Sequence, residues 1–107
     1  MTKRIRIYRT FDGRAPFVEW FKLLRDRRGA AKIRVRLRRV KLGNLGDHKS
    51  VGHGVIELRI SFGPGYRLYT GLQGDEMIVL LCGGDKSTQS QDIAQAHIYW
   101  ADYKRYL

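Results

Sequence analysis

Between residues 54 and 84 the chain is punctuated by glycine at intervals too short for ordinary helices. Val55 to Ser61 runs into Gly63-Pro64-Gly65, Tyr66 to Thr70 is followed by Gly74-Asp75, and Glu76 to Cys82 ends at Gly83-Gly84. Short apolar runs bounded by turn residues read as strands joined by tight connections. The spacing therefore predicts three consecutive strands. In the first, Ile56, Leu58 and Ile60 fall on one face and Val55, Glu57 and Arg59 on the other, because successive side chains on a strand alternate.

The flanks add helices to this sheet. Lys3 to Arg9 alternates, with Ile5 and Ile7 opposite Arg4, Arg6 and Tyr8, and predicts a first strand. Asp12-Gly13 marks a turn, and Pro16 suits the first position of a helix, where its missing N–H is not needed. Phe17, Trp20, Phe21 and Leu24 then form an apolar stripe at helical spacing. Gly29 is expected to break that helix. Ala30 to Leu42 predicts a second one, with Ala30, Ile33, Leu37 and Val40 on its buried side and Arg34, Arg38 and Lys41 opposite. Arg38-Arg39 spoils any strand alternation, and Gly43 suits the helix stop. Residues 43–54, rich in Gly, Asn, Asp and Ser, read as a loop. Thr88 and Gln91 can form a capping box opening a last helix, with Ile93, Ala96 or His97, Trp100 and Leu107 on its buried side. The order β-α-α-β-β-β-α predicts a single small α+β domain over residues 1–107: a mainly antiparallel four-stranded sheet flanked by helices.

Charge narrows the possible partners. Of 107 residues, 21 are Lys or Arg and 10 are Asp or Glu, a net charge of +11. Residues 1–41 hold 15 of the basic and 3 of the acidic side chains, leaving 6 basic and 7 acidic for the rest. A field so concentrated favours a polyanion or an acidic protein. No run approaches the roughly 18 apolar residues of a membrane span. Met1-Thr2-Lys3-Arg4 leads into alternation instead of a signal-peptide core, and Cys82 has no second cysteine to pair with. A cytoplasmic place is expected.

The candidate chemistry gathers on the predicted hairpin. If Val55 to Ser61 pairs with Tyr66 to Thr70, then Glu57, Arg59, Arg67 and Tyr69 share one surface. Cleavage of RNA through a 2′-hydroxyl needs a base for the proton, cations for the phosphorane charge and a platform to splay the nucleotide. Glu57, the two arginines and Tyr69 supply those types, and Lys86 after the last strand can add a cation or serve the leaving oxygen. The same pattern also fits a hairpin whose solvated face carries a Glu–Arg pair. Arg34, Arg38 and Lys41, with Arg36 and Arg39 beside them, are candidate contacts to RNA phosphates or to a protein partner. Gly83-Gly84-Asp85-Lys86-Ser87 lacks the spacing of a nucleotide-binding phosphate loop. His48, His53, His97 and Cys82 fit no zinc spacing, so no metal and no cofactor is expected. His48 and His53 lie in the loop as polar residues, and His97 beside Trp100. Trp20 and Trp100 fall on apolar stripes, where core packing is expected.

Taken in order, Pro16-Phe17-Val18-Glu19-Trp20, Ile33-Arg34-Val35-Arg36-Leu37-Arg38-Arg39, Gly43-Asn44-Leu45-Gly46-Asp47, Gly54-Val55-Ile56-Glu57-Leu58-Arg59, Gly63-Pro64-Gly65-Tyr66-Arg67-Leu68-Tyr69 and Gly83-Gly84-Asp85-Lys86 make the chain resemble the addiction module killer proteins. These belong to the RelE/ParE toxin superfamily, close to the HigB-type toxins. The resemblance covers nearly the whole chain. It implies a type II toxin that cleaves messenger RNA, commonly in the ribosomal A site, without a metal, inhibiting translation until a cognate antitoxin neutralises it. By position, Arg67 matches the arginine that stabilises the cleaved phosphate, Lys86 a basic general acid or charge stabiliser, and Glu57 a place where relatives carry lysine or glutamate as base. Tyr99, Tyr103 and Tyr106 are candidates for a C-terminal stacking tyrosine.

Two other readings fit the same scaffold. One is a ParE-like inhibitor of DNA gyrase without nuclease activity, and the other a non-enzymatic RNA- or ribosome-binding module. Arg59, Arg67 and Lys86 together favour the nuclease. The expected antitoxin is a small helix-turn-helix protein offering acidic side chains to the basic N-terminal half or to the Arg59/Arg67 face.

Overall fold

The computed structural model describes residues 2–107, which form five strands and three helices. They run β1 (Arg4–Ile7), α1 (Pro16–Leu23), α2 (Arg27–Lys41), β2 (His48–Ser50), β3 (Val55–Ile60), β4 (Tyr66–Gln73), β5 (Met77–Asp85) and α3 (Gln89–Lys104), with a 3-10 turn over Lys86–Thr88 leading into α3. The sheet has the order β1-β5-β4-β3-β2. Strands β2 to β5 pair antiparallel, and β1 lies parallel to β5. The α+β class matches expectation, but the four-stranded, mainly antiparallel sheet is corrected to a five-stranded mixed one. The added strand, β2, has three residues inside the glycine-rich stretch read as loop, too few to show an alternating pattern.

Helices cover both faces. Phe17 of α1 and Ile33 and Val40 of α2 pack on Leu58, Ile60, Leu68, Ile78 and Leu80. Ala96 and Trp100 of α3 pack on the other face, against Val55, Tyr69, Val79 and Leu81. Covered on both sides, β5 is buried from Met77 to Gly84, and its sequence is accordingly a continuous apolar run. A register shift between Tyr69 and Thr70 leaves Leu81 unopposed. This bulge turns Leu81 and Cys82 to the same α3-side core.

The two tryptophans pack as expected, each over a glycine. Trp100 lies so close to Gly71 that a Cβ there would meet its ring at 2.5 Å, and Trp20 lies against Gly83 in the same way on the opposite face.

Three local expectations change. Gly29 lies inside α2, and the break between helices falls at Leu24 to Asp26, where the Asp26 side chain accepts from the Gly29 N–H at 2.9 Å. Gly29 is needed because a Cβ there would meet Tyr66 Cε2 at 2.5 Å. The cap before α3 is formed by Asp85 and Thr88, not Thr88 and Gln91. Leu107 lies beyond α3 and is exposed. No helix among the described residues is long and apolar enough to cross a membrane.

Adding one methyl group under Trp20 should force the helix off the sheet. Gly83→Ala is expected to lose about 1–3 kcal/mol of stability through overpacking, read as a lower denaturation midpoint in urea.

Candidate functional site

The β3–β4 register sets Glu57 opposite Tyr69 and Arg59 opposite Arg67. All four lie on the face that α3 covers, since Tyr69 belongs to that core. Toward the Gly63-Pro64-Gly65 turn this face opens into a cleft of about 610 Å³, lined by Asp47, Arg59, Arg67, Lys86 and the turn itself. Gly65 has φ +80°, a left-handed conformation that glycine adopts without strain. A Cβ there would lie 3.5 Å from Lys86 Cβ and 3.6 Å from an Arg67 terminal nitrogen, so both residues adjoin the turn. The Lys86 N–H donates to the Pro64 carbonyl at 3.4 Å. Asp85 caps the 3-10 turn by accepting from the Ser87 N–H at 2.8 Å. These contacts bring the end of β5 back to the hairpin.

Each arginine is steered by one acid. Arg59 donates to Asp47 Oδ1 at 2.8 Å on the exposed side. Arg67 is 13% exposed, and its Nε lies 3.9 Å from Glu57 Oε1, beyond hydrogen-bond reach. The Nε of each arginine is buried and without a hydrogen-bond partner. An oxyanion in the cleft would meet the terminal guanidinium nitrogens, not these buried Nε atoms, and would offset the mutual repulsion of the two cations.

Two sequence-derived roles change with these positions. Glu57 is 1% exposed. Its Oε2 accepts from the Tyr69 hydroxyl at 3.1 Å and from Gln89 Nε2 at 2.9 Å. Placed behind Arg67 instead of on the cleft wall, it is built to hold that arginine and not to meet a 2′-hydroxyl. Tyr69 is fully buried, and burial followed by the neighbouring Glu57 carboxylate pushes its hydroxyl well above the usual tyrosine range. It cannot serve as a stacking platform. Both corrections have one cause: α3 covers a face that alternation alone leaves open.

Arg34, Arg38 and Lys41 lie away from the cleft. Arg34 stacks on Phe21 at 5.1 Å, and the other two are solvent-exposed. The α2 side chains beside β3 are Lys32, Arg36 and Arg39. Lys32 was not among the sequence candidates, although its helical spacing from Arg36 and Arg39 places the three on one face. Arg36 is fully committed: it donates to the carbonyls of Leu45 at 2.8 Å, Arg59 at 2.8 Å and Asp47. It thereby fixes the loop that carries Asp47. Gly46, at φ +69°, leaves room for it, since a Cβ would meet Arg36 Nε at 2.8 Å.

Lys49, Asp47, Ser61 and Gln89 were also missed. Lys49 stands opposite Glu57 across the β2–β3 pair, on a strand that the sequence did not reveal. Tyr99 and Tyr103 pack against the α3-side core, and Tyr106 is exposed near Arg6 and Arg9, away from the cleft. His97 bonds to the Val51 carbonyl at 2.9 Å, with the His53 ring 4.5 Å from its own. Among the described residues no three His, Cys, Asp or Glu side chains converge as metal ligands.

The chain is 47% identical over 98 residues to an uncharacterized protein of Haemophilus influenzae, a match spanning 92% of this chain and 93% of that one. The two proteins belong to one family. No protein-family model matches the chain.

Replacing Glu57 with alanine would strip an acceptor from Tyr69 and Gln89 and the counter-charge from Arg67. Glu57→Ala is expected to cost about 3–5 kcal/mol, as for other broken buried pairs, measured by urea denaturation.

A second tie responds to pH. The Tyr66 hydroxyl donates to Asp26 Oδ2 at 2.7 Å. Burial and then Asp26 push that hydroxyl up to about 12, while the Gly29 N–H and then Tyr66 hold the Asp26 carboxyl below the usual carboxylate range. A carboxyl lowered on folding stabilises above its unfolded pKa, and that contribution is lost as pH falls through the folded value. Melting temperature should therefore drop less for Asp26→Asn than for the wild type between about pH 5 and about pH 2.

Proposed function

We propose that this protein is the toxin of a type II toxin–antitoxin pair, an endoribonuclease that cuts messenger RNA on the ribosome and inhibits translation. The observation that carries the reading is the cross-strand pair of Arg59 and Arg67 on one cleft with Lys86. Resemblance to the RelE- and HigB-type toxins supports the same reading.

In this mechanism the 2′-oxygen attacks the adjacent phosphorus and expels the 5′-oxygen, leaving a 2′,3′-cyclic phosphate and a 5′-hydroxyl. Asp47, the carboxylate on the cleft wall, takes the 2′-proton. Lys86, exposed at the cleft edge, returns a proton to the 5′-oxygen. Arg59 and Arg67 hold the non-bridging oxygens as charge builds on them. Glu57, Tyr69 and Gln89 keep Arg67 in place. The charges come from side chains, so the mechanism uses no metal ion or cofactor.

Arg34, Arg38 and Lys41 on the outer side of α2 are available to ribosomal RNA, whose phosphates reward such a surface. The antitoxin is a small helix-turn-helix protein whose acidic side chains cover the arginine-rich face. The site of action is the cytoplasm.

Expression without antitoxin should stop growth and cut messenger RNA on ribosomes. Arg67→Ala should lower the cleavage rate by about 10²–10³, the usual loss on removing one stabilising donor. Primer extension on cellular RNA, beside growth curves, reads both effects. Growth arrest with intact RNA and damaged DNA would replace this reading with gyrase inhibition, and harmless expression would replace it with a binding module.

A further inference from the structure

We propose that the groove between α2 and β3 is a second subsite, which holds single-stranded RNA flanking the scissile link. The inference rests on the ribonuclease reading and extends it to nucleotides outside the reacting pair.

The groove has a volume of about 440 Å³, and it shares Asp47, Arg59, Ser61 and Phe62 with the cleft, so the two spaces are continuous. Its apolar surface comes from Val35, Ile60 and Phe62, and its basic rim from Lys32, Arg39 and Arg59. Lys32 Nζ lies 5.0 Å from the centre of the Phe62 ring. Among the described residues Asp47 is the one acidic side chain lining it, and its Oδ1 accepts from Arg59. Arg36 is not a free cation here, since carbonyl oxygens occupy its guanidinium.

An aromatic ring beside a track of cations is what single-stranded nucleic acid requires. Bases stack on the ring and phosphates follow the charges, with little dependence on sequence. An acidic peptide would also be drawn to Lys32 and Arg39. The continuity with a cleft shaped for a phosphodiester favours RNA, because a strand seated at Arg59 and Arg67 must leave past Phe62 or turn away into solvent. Helical spacing fixes the rim, since residues 32, 35 and 39 share one face of α2.

The test uses the purified full chain and fluorescein-labelled 2′-O-methyl oligonucleotides of two and eight residues, which cannot be cut. Binding is read by anisotropy. The eight-residue strand should bind about tenfold more tightly than the dinucleotide. Lys32→Ala/Arg39→Ala should remove that advantage, leave dinucleotide binding unchanged, and reduce the salt slope by about 1.4, the value for two lost phosphate contacts on a single strand. Unchanged binding of the longer strand by the double variant would overturn the subsite while leaving the ribonuclease standing, provided wild-type expression still cuts messenger RNA. Failure to bind either strand, with messenger RNA intact in cells, would overturn both. Loss of binding to a polyglutamate peptide, with RNA binding retained, would assign the groove to a protein and overturn the proposal.

Discussion

Like charges directly opposite on neighbouring strands repel, yet Arg59 and Arg67 stand in that relation at the mouth of the cleft. What holds them is a set of contacts from every side of the sheet. Glu57 lies behind Arg67, tied to Tyr69 of β4 and Gln89 of α3. Asp47 meets Arg59 from the loop before β2, and Arg36 of α2 grips that loop through its carbonyls. An isolated β3–β4 hairpin would have no reason to keep the pair together.

The two acids have different physical situations. Glu57 is enclosed, its Oε2 holding two donors, so moving it means leaving buried polar groups unpaired. Asp47 has a side chain 58% exposed and one bonded oxygen given to Arg59. Water screens that pair, and its contribution to stability is correspondingly small. The enclosed acid is suited to holding geometry, and the exposed one is the carboxylate that the cleft presents to solvent. The sequence suggested the opposite assignment for Glu57, because a carboxylate alternating with arginine on a strand looks like a solvated residue until the helix above it is known.

That contrast marks how far the sequence could be read. The hairpin, the helix opening at Pro16, the helical nature of the Arg-rich segment and the packing of both tryptophans were legible, since each depends on local spacing or turn chemistry. Alternation put Arg59 and Arg67 on one face if the two strands paired, whereas their direct opposition is a matter of register that spacing left open. What escaped was set at a distance. The parallel pairing of β1 with β5 depends on a partner seventy-odd residues away. Gly29 looked like a breaker because its neighbour, the Tyr66 ring, is remote in sequence. The buried stripe of α2 was legible in Ile33 and Val40, but which of its flanking cations, Lys32 or Arg34, borders β3 depends on the strand those residues meet.

Glycine decides where the covered sheet opens. Gly84 stands opposite Arg67 on β5, and a Cβ there would run into the Asp92 carboxylate of α3. The first turn of α3 can therefore approach β5, placing Gln89 against Glu57 from the helix side. Burial raises the Asp92 carboxyl above the usual range, while its bond from Thr88 at 2.5 Å acts the other way. On the far side of Arg67, Gly65 is required by its backbone, since a side chain at φ +80° would be strained although its Cβ would make only ordinary contacts with Lys86 and Arg67. A side chain at Gly84 would push the first turn of α3 away from β5 and take Gln89 from Glu57. The cleft thus arises from residues that withhold a side chain as much as from those that carry charge.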